Sequence, residues 1–377
     1  MDSHDVLRDR GTERLPEREG GFALLVALLA IVGLTALATG GFLLSDSERA
    51  MAAAFDTSVD AFYVAEAGLN RFIARTSGPP AQTAVYDIAG GSATVTTQRM
   101  AETGSGGRSV YRIVSEGEVD LGRGRSSTRA VSVLVVLDPL FTSLPGALVS
   151  GTGVEKNGSS GTISGNDAAT GSDCPDGGTD GPGLVVPPDD TPDDEGNGYG
   201  GVDEAVTEGN PEVEEVTDPL SQLDIDWQAI VDGTAFSFTH TVSSSSPDAS
   251  WPDYGSLSED DYPVVYGGDG GDFTVDGNDD GRGLLVVRGD LDMNGSFEWD
   301  GTILVGGHII SDGNQTITGG LVTGLNATLD PPEDPGAGSI DLGNGNKLFQ
   351  FHTCEIQDAG RSAGSLVQLD HTWSEIF

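Results

Sequence analysis

The chain has 377 residues, 60 of them acidic and 18 basic, and its formal net charge at pH 7 is −42. So negative a chain repels nucleic acid, whose recognition needs a basic patch, and this excludes a nucleic-acid-binding protein. The hydrophobic fraction is 37%, the aromatic fraction is 6%, and 56 residues are glycine. This composition favours turn-rich β structure over a helical core, and the length allows two or three domains.

An apolar segment near the amino terminus predicts where the protein resides. Residues Phe22 to Leu44 read FALLVALLAIVGLTALATGGFLL and carry no charge. A helix of this length can span the hydrocarbon core of a bilayer. The preceding residues 1–21 are polar and contain four arginines, so we expect this side to stay cytoplasmic. The sequence therefore predicts a single-pass inner-membrane protein whose carboxy-terminal region is exported.

The predicted helix continues beyond the membrane. From residue 45 to residue 76 there is no proline, and apolar residues recur at steps of three, four and seven. These residues are Met51, Phe55, Val59, Phe62, Leu69 and Ile73. Such spacing predicts an amphipathic stripe that carries an attached domain. The segment Gly78-Pro79-Pro80 is expected to end the helix.

The amino-terminal region resembles that of PilX-type minor pilins. Gly21 stands before Phe22 and an unbroken apolar helix, and Ala65-Glu66-Ala67-Gly68-Leu69-Asn70 is the most specific part of the likeness, which covers roughly residues 20 to 77. The resemblance implies a prepilin leader that a prepilin peptidase cuts between Gly21 and Phe22, and a mature chain that joins other pilin subunits in a filament. An uncleaved anchor with the same orientation also fits this boundary.

Four positions of the helix bear on assembly. Val26 stands where major pilins have a glutamate, which argues against a role as the bulk repeating subunit. Gly40 and Gly41 each weaken a helix by about 1 kcal/mol, which fits either close helix packing or local melting during assembly. Glu66 either accepts hydrogen bonds from the attached domain or pairs with an arginine of a neighbouring subunit.

The expected fold is α+β, with a long transmembrane and amphipathic pilin helix, a small antiparallel sheet and a mostly-β region. We predict five parts. They are a leader (1–21), the helix (22–77, with 22–44 in the membrane), a small antiparallel β domain (78–140), an acidic insertion rich in Gly, Asp and Pro (141–260), and a β-solenoid-like domain (261–377). The insertion is expected to be partly disordered, because stretches such as PPDDTPDDEGNGYGG have little apolar surface to bury.

A repeat underlies the solenoid prediction. Short apolar strands that begin at Gly283, Gly301 and Gly319 are spaced by 18 residues, which is typical of stacked parallel coils. FTVDG at Phe273 and FEWDG at Phe297 form a second echo at a spacing of 24 residues. An ordinary sheet of similar hairpins remains the alternative.

Two further features invite a chemical interpretation. A disulfide between Cys174 and Cys354, the latter in a strand-like segment, is weighed against two separate thiols. Asp276, Asn278 and Asp280 match the opening of a calcium loop, although Val287 stands where the bidentate glutamate should be. A solvated β-turn is the alternative to calcium, and no other cofactor is expected.

The chain is not expected to be an enzyme. Acids near the repeat suggest a glycan-active site, but nearly every loop of this chain carries acids. They are Asp290, Asp292, Glu298 and Asp300. No nucleophile elbow, phosphate-binding loop or zinc motif stands out. We therefore expect a minor or tip-associated structural subunit of a type IV pilus or related filament. A membrane-anchored adhesin, a type II secretion pseudopilin and an anchored glycan-active enzyme remain as alternatives.

Overall fold

The computed structural model describes residues 20–103, 108–120, 125–155, 161–169, 174, 177–188, 207–243, 251–258, 261–330, 340–342 and 345–376. Of these, residues 20, 21, 102, 103, 155, 276–278, 340 and 341 are described by their backbone alone. The chain divides into two units, residues 1–60 and 61–377. A long amino-terminal apolar helix is followed by a mostly-β region with an antiparallel sheet and a parallel sheet.

Helix α1 runs from Gly20 to Arg75. It ends shortly before the Gly78-Pro79-Pro80 segment, as the sequence predicts. Gly78 has a left-handed backbone (φ +73°), and its N–H donates to the carbonyl of Gly364. Glycine suits this position because a side chain would be strained at that φ and would also meet the backbone of Ser362.

The antiparallel sheet begins with a meander of four strands. These are β1 (Thr83–Ile88), β2 (Gly91–Thr103), β3 (Arg108–Asp120) and β4 (Ser126–Asp138). Alternate residues of β3 and β4 are buried against the carboxy-terminal part of α1, as expected for a sheet that is covered on one face.

Two strands from the far end of the chain complete this sheet. They are β18 (Ser365–Gln368) and β19 (Ser374–Ile376), and both pair antiparallel with β4. The carboxy terminus therefore belongs to the first sheet, a pairing that the sequence did not indicate.

The part of the chain that follows β4, up to residue 243, contributes short strands to the parallel sheet. Its elements are β5 (Leu148–Ser150), β6 (Val154–Glu155), β7 (Thr162–Ser164), β8 (Leu184–Val186), β9 (Thr207–Glu208), β10 (Val213–Glu215), helix α2 (Trp227–Val231) and β11 (His240–Val242). All seven strands pair within the parallel sheet. Residues 189–206, which include most of the stretch predicted to be disordered, lie outside the described residues.

The parallel sheet is organised by the predicted 18-residue spacing. Its main strands are β12 (Val264–Gly267), β13 (Phe273–Val287), β14 (Leu291–Val305) and β15 (Ile309–Thr323), followed by β16 (Ile340–Asp341) and β17 (Lys347–Phe351). Gly283 pairs with Gly301, and Gly301 pairs with Gly319. All three glycines have positive φ (112°, 129° and 134°), so the repeat places glycine where the backbone adopts a conformation that other residues disfavour. The 18-residue repeat is confirmed as the pairing register.

The second sequence repeat, FTVDG and FEWDG at a spacing of 24 residues, does not correspond to a repeat in the structure. Phe273 pairs with Leu291, and Phe297 pairs with Asp279. The two phenylalanines therefore occupy different positions in the register, because the sheet repeats every 18 residues and not every 24.

Helix α3 (Thr353–Ser362) packs on β13, β14 and β15. Residues 284–287 of β13 are all fully buried, as in a parallel sheet covered on both faces. Cys354 lies in the first turn of α3, so the strand expected at this position is wrong. The strand ends at Phe351, and His352 caps the helix with its side chain.

Candidate functional site

The amino-terminal part of α1 is the most prominent candidate surface. Among the described residues, α1 is the helix that is long and apolar enough to cross a membrane. Every large apolar side chain from Phe22 to Leu44 is exposed, with Phe22 at 76% and Phe42 at 77%. In water such a surface is unfavourable, so it requires lipid or protein around it.

The predicted cleavage and assembly positions lie on this surface. Phe22 is in the first turns of α1, whereas residues 1–19 of the predicted leader lie outside the described residues. Val26 is 49% exposed. A methyl group added at Gly40 or Gly41 would meet no atom of the chain within 4 Å. Close packing at these glycines therefore requires another molecule.

The carboxy-terminal part of α1 packs on the antiparallel sheet through small residues. Its buried positions are Ala61, Val64, Ala65, Gly68, Leu69 and Phe72. A side chain on Gly68 would clash with Ala93 of β2, and a side chain on Gly117 of β3 would clash with the backbone of Ala61 and Ala65. The phrase AEAGLN thus contains two positions, Ala65 and Gly68, at which the helix and the sheet approach closely.

The predicted apolar stripe is only partly correct. Leu69 is buried and Phe62 is half-buried, but Met51 and Phe55 are 67% and 68% exposed. At 3.6 residues per turn, the face that the sheet covers is rotated by about a quarter turn from the stripe. The stripe was misplaced because it omitted Val64 and Phe72, which are buried, and because hydrophobic periodicity gives little weight to the alanines and glycine between them.

An aromatic patch, consisting of Phe62, Tyr63 and Trp373, lies beside the buried face. The Phe62 ring is 5.7 Å from Tyr63 and 5.8 Å from Trp373, both edge to face. Tyr63 is 60% exposed and Trp373 is 42% exposed. Strand β19 positions Trp373, since the neighbouring Ser374 hydroxyl lies 2.8 Å from that of Ser132. The patch is therefore a rigid aromatic surface that remains open to solvent.

Glu66 lies one turn beyond Phe62 on α1. Its side chain is half-buried, and within the described part of the chain it makes no hydrogen bond or ion pair. The expected hydrogen bonds from the attached domain are thus not found. Its carboxylate is therefore open to water or to a partner from another molecule.

Cys174 and Cys354 are joined by a disulfide, with their Cα atoms 5.7 Å apart. Beside it, the Asp167 carboxylate accepts hydrogen bonds from the N–H groups of Ala169, Gly178 and Thr353 and from the Thr353 hydroxyl. Burial opposes ionisation of Asp167, but these hydrogen bonds outweigh it and lower the pKa of the carboxyl below its ordinary value. Disulfide and carboxylate together tie the acidic region to the start of α3.

The segment that resembles a calcium loop is a strand. Residues 276–281 lie within β13, and each pairs in parallel with a residue of β14. Both a calcium loop and a β-turn are therefore wrong as backbone descriptions, because the 18-residue register keeps this segment extended. The side chains of Asp276 and Asn278 lie outside the described set, and among the described side chains no cluster of three metal-binding residues occurs. Calcium binding at Asp276, Asn278 and Asp280 stays a prediction.

A partly buried tyrosine–glutamate pair was not predicted from the sequence. The hydroxyl of Tyr262 donates to Glu355 of α3 at 2.7 Å. Burial raises the pKa of Glu355 to about 7, and the negative charges of Asp300 and Asp358 add to this effect, while Tyr262 and Arg282 oppose it. Burial and the nearby Glu355 also raise the pKa of Tyr262.

A cavity of about 410 Å³ adjoins this pair, lined in part by His240, Tyr262, Asp358 and Arg361. Asp290, one of the acids considered for catalysis, accepts a hydrogen bond from the backbone N–H of His308, which lies one 18-residue repeat further along the chain. Tyr262 and Glu355 are 93 residues apart and share no motif, so only tertiary structure brings them together.

No protein-family model, curated protein or solved structure matches this chain.

Proposed function

We propose that this protein is a minor or tip-associated structural subunit of a type IV pilus or related filament. In this role α1 serves first as an inner-membrane anchor and then as the assembly surface, and the acidic β-rich region is displayed outside the cell. The protein acts through assembly and display, without catalysis. Its partners are other pilin subunits and, before assembly, a prepilin peptidase.

The observation that carries this proposal is the contrast between the two parts of α1. From Phe22 to Leu44 the large apolar side chains are exposed, whereas one face of the segment from Ala61 to Phe72 is buried on an antiparallel sheet. A simple anchor needs about 20 residues, but α1 has 56. The additional turns are understandable if the helix must carry a folded domain and also contact other subunits.

The displayed region fits the same role. We infer that the parallel sheet is wound as a short β-solenoid, because the three segments of β15 pair with three different strands, β16, β17 and β5. Stacked coils form a stiff domain with many similar surface positions, which suits presentation at a filament end. The large negative charge keeps such a surface soluble and resistant to non-specific association.

The amino terminus of the mature protein tests the proposal. The full chain is expressed in a cell that contains a prepilin peptidase, extracted from membranes, and analysed by mass spectrometry. We expect a terminus at Phe22, with or without a methyl group, and its loss in a Gly21→Asp variant. A Gly20→Ala variant is the matched control and should be cut normally. An intact terminus at Met1 in wild-type protein would overturn the proposal in favour of an anchored binding module.

A further inference from the structure

Two unpartnered surfaces on α1 complement each other in chemistry. The first consists of the aromatic patch and Glu66. The second consists of Phe42 and Arg49, which are seven residues apart and therefore lie on the same side of the helix. Both surfaces offer an aromatic ring and a charged group, and the charges are opposite.

The second surface is open along its length. Phe42 is 77% exposed. Arg49 is exposed, and it makes no hydrogen bond or ion pair with the described residues. It is also the sole basic residue between Phe22 and Asn70, so it is the natural counter-charge on this part of the helix.

We propose that Glu66 and the aromatic patch of one copy bind Arg49 and Phe42 of a second copy. The inference rests on the proposed function and specifies how neighbouring subunits contact each other. Glu66 then gains an ion pair in a half-buried site, where charge pairing is stronger than at the open surface. Phe42 at the same time gains aromatic contacts with Phe62 and Tyr63.

The pairing sets a stagger between copies. Arg49 and Glu66 are 17 residues apart in the chain, so parallel helices paired in this way are offset by ~26 Å at 1.5 Å per residue. An in-register pair would instead oppose two Glu66 side chains, which repel each other. Because the two surfaces differ, each copy can bind one neighbour above and one below. Such a heterologous contact does not close on itself, so it can join a short run of copies within a filament whose bulk subunit is another pilin.

A double-cysteine variant, Arg49→Cys with Glu66→Cys in the full chain, tests the contact. The two native cysteines are bonded to each other and leave no other free thiol among the described residues. Seventeen residues of helix keep the new thiols too far apart to bridge within one copy. Oxidation of intact cells should therefore give a ladder of covalent multimers. The control, Arg49→Cys with Asp60→Cys, moves the second thiol to another side of the helix and should give no ladder.

Charge reversal provides a second measurement that needs no cross-link. Glu66→Arg and Arg49→Glu should each remove most of the subunit from sheared filaments, and the double variant should restore it. The amino terminus is determined in the same samples. A terminus at Phe22 without a ladder, or without restoration, would overturn the contact alone. A ladder with the terminus still at Met1 would support the contact and overturn the filament proposal.

Discussion

Replacement of Glu355 by glutamine is expected to stabilise the protein above pH 7. The wild-type carboxyl is largely removed from water, accepts a hydrogen bond from Tyr262, and lies near Asp300 and Asp358. These surroundings favour its protonated form in the folded state. Glutamine keeps an oxygen for the tyrosine hydroxyl but carries no charge at any pH.

The expected difference in unfolding free energy between wild type and Glu355→Gln follows from the pKa of Glu355. A rise from the ordinary value of 4.5 to about 7 corresponds to about 3 kcal/mol, because one pKa unit is worth about 1.4 kcal/mol. Since the folded-state pKa is raised, this stability is fully present below pH 4.5 and is lost as the pH rises through 7. We therefore expect wild type and variant to be similarly stable at pH 4.5, and the variant to be more stable by ~2–3 kcal/mol at pH 8.

The assay is guanidinium unfolding of the full chain in detergent micelles between pH 4.5 and 8. Fluorescence of the buried Trp299 and Trp227 reports on the parallel-sheet region. Other groups also titrate in this range, so the quantity of interest is the difference between Glu355→Gln and wild type at each pH. Glu298→Gln, at an exposed position of β14, is the matched control for the Glu-to-Gln replacement itself, and the effect of interest is the difference between the two variants at each pH.

The opposite result would refute this reasoning. If Glu355→Gln were less stable than wild type at pH 8, the ionised carboxylate would be favourable where it lies. Its interactions with Tyr262 and Arg282 would then outweigh the cost of burial.

Two further variants probe the packing of the domain. Asp167→Asn should lower the unfolding free energy at pH 7 by ~1–3 kcal/mol, because an amide cannot accept all four hydrogen bonds. The pKa of Asp167 is lowered in the folded state, so this difference should shrink in unfolding curves recorded below pH 4; a constant difference would contradict the assignment. Gly68→Val should cost ~1–3 kcal/mol or more in the same assay, because the new side chain meets Ala93. Gly40→Ala, which meets nothing within 4 Å, should cause no loss.

Some features of the fold could be predicted because they depend on local pattern. The apolar run from Phe22 to Leu44 and the Gly78-Pro79-Pro80 stop predicted α1 and its end. The 18-residue spacing of Gly283, Gly301 and Gly319 predicted the register of the parallel sheet, because each glycine occupies the equivalent position in its strand and has a positive φ. The sequence likewise predicted a small antiparallel β domain at residues 78–140, where the first four antiparallel strands lie.

Other features depend on which distant segments meet. The sequence did not indicate that Ser365–Gln368 would pair with β4, because the residues of a strand do not specify which distant strand it will pair with. The hydrophobic pattern also misplaced the buried face of α1, because the small residues Ala61, Ala65 and Gly68 carry little weight in such a pattern.

The candidate site shows the same division. The amino-acid sequence by itself determined that an apolar helix of membrane-spanning length begins near Phe22, because the absence of charge over 23 residues is a local property. Only the tertiary structure decided that Trp373 would stand beside Phe62, and that Tyr262 would reach Glu355. These contacts arise from folding of the whole chain, because burial and charge act on groups that are near in space whatever their distance in sequence.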